Sequence, residues 1–208
     1  MQQWVLCEHA RLCNATRDAV EPACLLITAG PAAGKTTLTS QLVMLLKDGP
    51  LVPILVRGQK WQRSLAERRE VFAAAWNWVD AYVQVEYEQQ PAVVGMLRQA
   101  MRSRRAVILL DGLDECGSTR RHFEAHIGGM LLPQGHVVVA LSRPAGLGEA
   151  SLRAFRRASL LPLSEAQQQR MLAQRLPDVA ERAKLWSYIV ERLPLSLIHI
   201  SEPTRLGM

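Results

Sequence analysis

The chain has 208 residues, of which 49% are hydrophobic, and this composition excludes an intrinsically disordered chain and predicts one globular domain with part of a second. Its formal charge of +6 does not indicate a nucleic-acid surface, because the arginines are scattered among acidic residues, as in residues 67–70, and no basic run is interleaved with aromatic residues. The four cysteines form no CxxC pair, and the lack of a signal peptide or a membrane-length apolar run predicts a reduced, cytoplasmic protein.

The N-terminal residues 1–21 predict a lead-in helix in front of the first strand. Apolar side chains recur there at helical spacing, at Trp4, Val5, Leu6 and Leu12. Pro22 ends this pattern. The apolar run Cys24–Thr28 then predicts a buried first strand.

The next nine residues follow this strand directly and predict a phosphate-binding loop. They are Ala29, Gly30, Pro31, Ala32, Ala33, Gly34, Lys35, Thr36 and Thr37. Gly30 and Gly34 allow the backbone to turn so that consecutive N–H groups point at phosphate oxygens. The Lys35 ammonium is suited to the outer phosphates, and the Thr36 hydroxyl can bind Mg²⁺, which prefers oxygen ligands. This spacing between an apolar strand and a helix-like segment predicts nucleotide binding.

A helix over residues 38–46 and a second strand over residues 51–56 are the next predicted elements. Pro53 lies inside that strand and has no N–H to donate to a neighbour. The strand is therefore predicted at or near the edge of the sheet.

Residues 65–89 have a pattern that predicts one long helix, and residues 92–101 predict a shorter one. Trp76 and Trp78 cannot share one face of a helix, so at least one of them is expected to be partly exposed or to meet another element. Both are interpreted as core or interface residues and not as an aromatic binding site.

Residues 106–115 combine a continuous apolar strand with a cluster of acids. Asp111 is the first carboxylate after the apolar run, where the strands of a parallel sheet end and ligands bind. It is therefore a candidate Mg²⁺ ligand. Either Asp114 or Glu115 could orient and deprotonate an attacking water, and the sequence leaves this choice open.

A helix is predicted over residues 118–132, with Ser118 as its N-cap. His122 and His126 lie four residues apart on one face of that helix. The zinc-protease pattern requires Glu directly after the first histidine, and Phe123 occupies that position. A metal site is therefore not expected here.

The remaining strands are predicted over residues 136–141 and 158–161, with a loop and short helix over residues 146–154 between them. The first of these strands leads to Arg143, whose guanidinium would lie on the ligand side of the sheet and could contact a γ-phosphate. Five strands alternating with helices predict a three-layer α/β fold with a mainly parallel five-stranded sheet. Two amphipathic helices, Glu165–Arg175 and residues 176–193, follow outside the sheet.

Residues 22–175 together resemble the NACHT family, within the STAND class of signalling P-loop ATPases. The most specific part of the match is the stretch Leu109, Leu110, Asp111, Gly112, Leu113, Asp114 and Glu115. The sensor arginine of the family corresponds to Arg143, and its entry to the next helix corresponds to residues 161–165.

This resemblance implies a nucleotide-controlled switch in signal transduction, including innate immunity. ADP would hold a closed monomer, and ATP would open it and permit self-association through the nucleotide-binding domain. ATP or ADP and Mg²⁺ are the implied cofactors, with Thr36 and Asp111 as metal ligands. The implied catalytic residues of this slow ATPase are Lys35, Asp114, Glu115 and Arg143.

Family members usually carry an effector domain before this region and a repeat sensor after it. Residues 22–162 are expected to form the NACHT-like domain and residues 163–194 the start of a helical subdomain. Residues 195–205 resemble the translation of a transposase-type sequencing adaptor, so residues 195–208 are expected to be an artefactual tail.

Two other kinds of ATP-using enzyme remain as alternatives. A P-loop ATPase that acts on nucleic acid or as a remodelling motor would need a basic stripe with stacking aromatic residues. A nucleotide or small-molecule kinase would need an arginine-rich lid. A NACHT-like domain that binds nucleotide without hydrolysing it is a further alternative, because Asp114 and Glu115 could orient water poorly without a neighbouring subunit.

Overall fold

The computed structural model describes residues 1–14, 21–31, 33–144 and 152–192. The chain divides into two compact units, residues 1–160 and residues 161–208. The predicted adaptor-like tail lies outside the described residues. Among the described residues, none of the helices has both the length and the apolar character needed to cross a membrane.

The first unit is built on a five-stranded sheet in which every pair of neighbouring strands is parallel. The strands are β1 (Cys24–Thr28), β2 (Val52–Arg57), β3 (Ala106–Asp111), β4 (Val137–Ser142) and β5 (Arg156–Ser159). Their order across the sheet is β2-β3-β4-β1-β5. The predicted α/β class is confirmed, and Pro53 lies on an edge strand as predicted.

Two helices cover one face of this sheet. They are α1 (Gln2–Asn14) and α2 (Lys35–Leu46). Alternate residues of the central strands, such as Leu109 and Val139, pack in one buried cluster with Val5 of α1 and Leu42 of α2. This is the alternation that a strand covered on both faces requires.

Five helices lie between β2 and β4 in the chain, and their apolar side chains form the second buried cluster. They are α3 (Gly58–Glu67), α4 (Arg69–Ala74), α5 (Trp78–Glu86), α6 (Pro91–Arg102) and α7 (Arg120–His126). The centre of this cluster is aromatic: the Trp61 and Phe123 rings lie 4.1 Å apart, and the Trp78 and Phe123 rings 5.4 Å apart.

The prediction of one long helix over residues 65–89 is wrong. The chain breaks at Arg68 and again before Asn77, which is the N-cap of α5 and accepts a hydrogen bond from the Asp80 N–H at 2.8 Å. An N-cap side chain starts a new helix by satisfying an otherwise unpaired N–H. The break leaves Trp76 38% exposed, while Trp78 joins the aromatic cluster, in agreement with the expectation that the two tryptophans separate.

The prediction of a helix over residues 118–132 is also wrong in its start and its regularity. A 3₁₀ segment (Leu113–Thr119) comes first and contains Gly117 at φ 56°, then α7, then a π-helical segment (Ile127–Leu131). Ser118 lies inside the 3₁₀ segment, so it is not the N-cap. Thr119 precedes α7 without a side-chain capping bond.

The last strand begins two residues earlier than predicted. All four residues of this edge strand, β5, are exposed. The apolar residues that suggested a strand over 158–161 lie at and beyond its end. Residues 145–151, which include most of the predicted loop and short helix, lie outside the described residues.

The described part of the second unit contains two helices. They are α8 (Glu165–Arg175) and α9 (Val179–Arg192). A capping box begins α8: the Ser164 hydroxyl accepts from the Gln167 N–H, and the Gln167 side chain accepts from the Ser164 N–H. The predicted bounds of α8 are confirmed, and this reciprocal pair fixes where the helix begins.

Candidate functional site

The loop between β1 and α2 starts from a fixed point on the sheet. The Ala29 N–H donates to the Ser142 carbonyl at 3.1 Å, which ties the loop to the end of β4. Gly34 precedes α2 with φ at 87° and forms no side-chain cap. This left-handed conformation favours glycine, and it leaves the first N–H groups of α2 available to an anion. Ala32 lies outside the described residues.

Lys35 folds back over this loop. Its ammonium donates to the Ala29 carbonyl at 3.0 Å and to the Gly30 carbonyl at 2.7 Å. The positive charge is therefore held beside the first residues of the loop, within one turn of the open end of α2. A phosphate bound by the N–H groups would meet this ammonium directly.

Asp111 is the last residue of β3 and is only 8% exposed. Its Oδ2 accepts a hydrogen bond from Thr39 Oγ1 of α2 at 3.3 Å. In the described part of the chain, no ion pair compensates this carboxylate. A buried carboxylate without a cationic partner is costly, so a divalent cation bound beside α2 fits the residues present. Thr36 lies in the first turn of α2 and is exposed.

Asp114 and Arg143 come together across the exits of β3 and β4. Arg143 Nε lies 3.3 Å from Asp114 Oδ2. Asp114 Oδ1 also accepts from the Arg143 N–H at 3.0 Å and from Ser142 Oγ at 3.3 Å. Asp114 thus holds the base of an arginine whose side chain remains 53% exposed.

Glu115 makes a different set of contacts from Asp114. Its N–H donates to the Gly112 carbonyl at 2.9 Å. Its carboxylate lies close to Gly112, as shown by the 2.9 Å that would separate a Cβ added to Gly112 from Glu115 Oε2. Gly112 itself has φ at 75°. Asp114 and Glu115 therefore follow the same tight turn but have different surroundings, and the Glu115 side chain is exposed.

Arg57 is a further charged residue at this edge of the sheet that was not predicted from the sequence. It is the exposed last residue of β2 and is paired in register with Asp111 on β3. An arginine beside this acidic strand end is placed to contribute charge to the same edge of the sheet. Its only signal in the sequence is its position after an apolar strand, which is too common to identify a functional residue.

The two histidines of the predicted 118–132 helix do not belong to this edge. His126 Nε2 accepts from the Trp78 N–H at 3.0 Å, and its ring stacks on the Trp78 ring at 4.4 Å. Burial lowers the pKa of His126 to about 4, so the ring is neutral at pH 7. His122 is exposed, and among the described residues no group of three potential ligands could hold a metal ion.

Comparison with known proteins supports the fold of this chain and does not identify its family. No protein-family profile and no curated protein matches the chain. The structure of C. elegans PCH-2, an AAA+ P-loop ATPase, is similar at 14% sequence identity with a TM-score of 0.50. The match covers 86% of this chain and 46% of the PCH-2 chain, so this chain spans less than half of that neighbour. The likeness and the parallel sheet show a P-loop NTPase-like fold, and they do not show membership of the NACHT family.

Proposed function

We propose that the chain is an ATP- and ADP-binding P-loop ATPase domain that acts as a nucleotide-controlled switch of the NACHT kind. One observation carries the proposal: the exits of β1, β3 and β4 bring a loop lysine, a buried carboxylate and an exposed arginine to one edge of a parallel sheet. These are Lys35, Asp111 and Arg143. Ligands of open α/β sheets bind at this edge.

In this proposal the loop N–H groups and Lys35 bind the phosphates. Thr36 and Asp111 hold Mg²⁺, which would neutralise charge on the outer phosphates. The surroundings of Asp111 support the assignment, since its carboxylate is buried beside α2. Residues 22–162 form the nucleotide-binding domain, and residues 163–194 begin a helical subdomain.

The contacts of the two neighbouring acids support different roles for them. Asp114 already accepts hydrogen bonds from Ser142 and from the Arg143 N–H. A carboxylate held in this way is suited to orient Arg143 and not to accept a proton from water. Glu115 is exposed and lies over Gly112, so we assign it the water-orienting role.

The pair of Asp114 and Arg143 also supports a switch. Arg143 Nε lies 3.3 Å from Asp114 Oδ2. A γ-phosphate carries a greater negative charge than Asp114 and would compete with it for the Arg143 guanidinium. ADP lacks that phosphate and would leave the pair intact. Binding of ATP would thus change the contacts between the β3 and β4 exits and promote self-association of the domain.

The experiment is nucleotide binding by the full chain, with Lys47→Ala as a control for Lys35→Ala. Lys47 is exposed at the end of α2, far along the helix from the loop. Mg-ADP at a hundred times its Kd stabilises a binding protein by about 2.7 kcal/mol, so the melting temperature rises in wild type and Lys47→Ala but not in Lys35→Ala. Unchanged melting of the wild-type chain contradicts nucleotide binding. Hydrolysis that is stimulated by nucleic acid would instead support a motor.

A further inference from the structure

Thr39 is a polar residue at a position of α2 where the neighbouring inward-facing residues are apolar. Its exposed fraction is 0%, and Leu42 and Leu46 continue the same buried face of the helix. Threonine lowers helix stability slightly because its branched side chain loses freedom there. A leucine or valine would suit packing better, so the hydroxyl calls for another explanation.

The Thr39 hydroxyl has three acceptors within reach. Oγ1 lies 2.9 Å from the Thr36 carbonyl and 3.4 Å from the Lys35 carbonyl. Such contacts within one turn are common for helical threonine. The third acceptor is Asp111 Oδ2 at 3.3 Å, 72 residues further along the chain.

A hydroxyl has one proton, so Thr39 donates to one of these acceptors at a time. An ionised carboxylate is the strongest of the three, because hydrogen bonds to charged groups are stronger than those to neutral carbonyls. The Thr39 hydroxyl therefore lies between the backbone of one proposed magnesium ligand, Thr36, and the side chain of the other, Asp111, and we assign its proton to Asp111.

We propose that Thr39 is a positioning residue for the magnesium site. It holds Asp111 through Oδ2, so that Oδ1 is available to the cation in a fixed orientation. This inference rests on the proposed function, because it requires that Asp111 bind Mg²⁺ together with nucleotide. Partners that orient a metal-binding carboxylate typically change metal affinity by about 10- to 100-fold when removed.

The test uses Thr39→Val, which keeps the branched shape and removes the donor, and Thr39→Ser, which keeps the donor. The affinity of the full chain for a fluorescent ADP analogue is measured as Mg²⁺ is titrated, and once more in excess chelator. We expect the Mg²⁺ midpoint to rise by about 10-fold or more in Thr39→Val and to stay near wild type in Thr39→Ser. The affinity in chelator is expected to stay unchanged in both variants.

Ser40→Ala is the matched control on the same helix. Ser40 Oγ donates to the Thr36 carbonyl at 2.9 Å, and its side chain is exposed. Its removal is expected to leave the Mg²⁺ midpoint unchanged. Should Thr39→Val fail to fold, Thr39→Ala provides the donor-free variant without the added methyl group.

A second arm repeats the valine substitution in an Asp111→Asn background. Since Thr39 acts through Asp111, the substitution is expected to have no further effect on the midpoint there. An unshifted midpoint in Thr39→Val, or an equal loss of affinity in chelator, overturns this inference alone. Failure of the wild-type chain to bind the ADP analogue with or without Mg²⁺ overturns both this inference and the proposed function.

Discussion

Gly58 and Gly112 touch through their backbones, since a Cβ placed on Gly58 would lie 2.1 Å from the Gly112 carbonyl oxygen. The first turn of α3 therefore rests directly on the turn that carries the two acids of the candidate site. The same added atom would lie 3.1 Å from Cys116 Sγ. A side chain at position 58 would not fit here. The position of the acidic turn therefore depends on glycine at this position.

We predict that Gly58→Ala lowers the free energy of unfolding by about 1–3 kcal/mol, because a methyl group forced against fixed backbone must displace it. Gly95→Ala is the control, since Gly95 lies inside α6 with no atom within 4 Å of an added Cβ. Alanine there is expected to raise stability by about 0.5–1 kcal/mol. Urea denaturation of both variants tests this, and equal stabilities would contradict the backbone contact.

We predict that Lys35→Arg loses ADP and ATP binding as completely as Lys35→Ala. The ammonium lies between two loop carbonyls at 3.0 and 2.7 Å, a space that suits a compact charge, and a planar guanidinium cannot take its place. Isothermal titration of each variant with Mg-ADP measures the loss. An affinity near wild type for Lys35→Arg would show that any positive charge is sufficient.

We predict that Asp111→Asn and Glu115→Gln have different phenotypes. The first weakens binding of Mg-nucleotide, since it removes charge that the bound state and the transition state both use. The second keeps ATP bound and slows its cleavage, since a water-orienting carboxylate matters mainly as the attacking oxygen loses its proton. Single-turnover hydrolysis and nucleotide affinity, measured on both variants, separate the two effects.

Asp114→Asn provides the comparison with Glu115→Gln. It removes the charge that pairs with Arg143, so we expect altered preference between ATP and ADP with a smaller effect on the cleavage step. Wild-type cleavage in a double Asp114→Asn, Glu115→Gln variant would mean that neither acid takes part in hydrolysis. The domain would then be a binding module.

We predict that stability falls as the pH is lowered from about 6.5 towards 4, and that His136 contributes to this fall. Burial, with a smaller effect of Arg104, lowers its pKa from 6.5 to about 4. The folded state thus binds fewer protons than the unfolded state over this interval, so the contribution of the histidine is complete above pH 6.5 and decreases below it. One such group changes the free energy of unfolding by up to about 1.4 kcal/mol per pH unit.

The environment of His136 explains the direction. It is 2% exposed, and within the described residues neither ring nitrogen has a hydrogen-bond partner, so protonation would bury an uncompensated charge. His136→Phe is expected to reduce the pH dependence of urea unfolding relative to wild type, whereas His122→Ala, at an exposed position, leaves it unchanged. A wild-type pH dependence in His136→Phe would contradict this assignment.

The sequence was informative wherever one short segment determined its own structure. Continuous apolar runs predicted β1 and β3, and the residues after them lie at the carboxyl edge of the sheet, as Asp111 does. The amphipathic pattern after Ser164 predicted α8 for the same reason, and the capping box that begins this helix is also made of local hydrogen bonds.

Features that depend on distant residues could not be predicted. The sequence left Asp114 and Glu115 as equivalent candidates, and the contact that distinguishes them reaches Arg143, 29 residues away. The same holds for Thr39, whose partner Asp111 lies on another element. The break before Asn77 was missed because the surrounding apolar residues fit a continuous helix.

The strand order has a consequence for the way the chain reaches its folded state. Both neighbours of β1 are strands that come much later in the chain, with Cys24 opposite Val138 and Leu25 opposite Arg156. A nascent chain therefore has no partner for β1 until β4 has left the ribosome, and pairing between such distant segments is slow. The strand pair β2 and β3 can assemble earlier, since fewer residues separate them. The proposed phosphate-binding loop, although it directly follows the first strand of the sheet, is then among the last parts to become ordered.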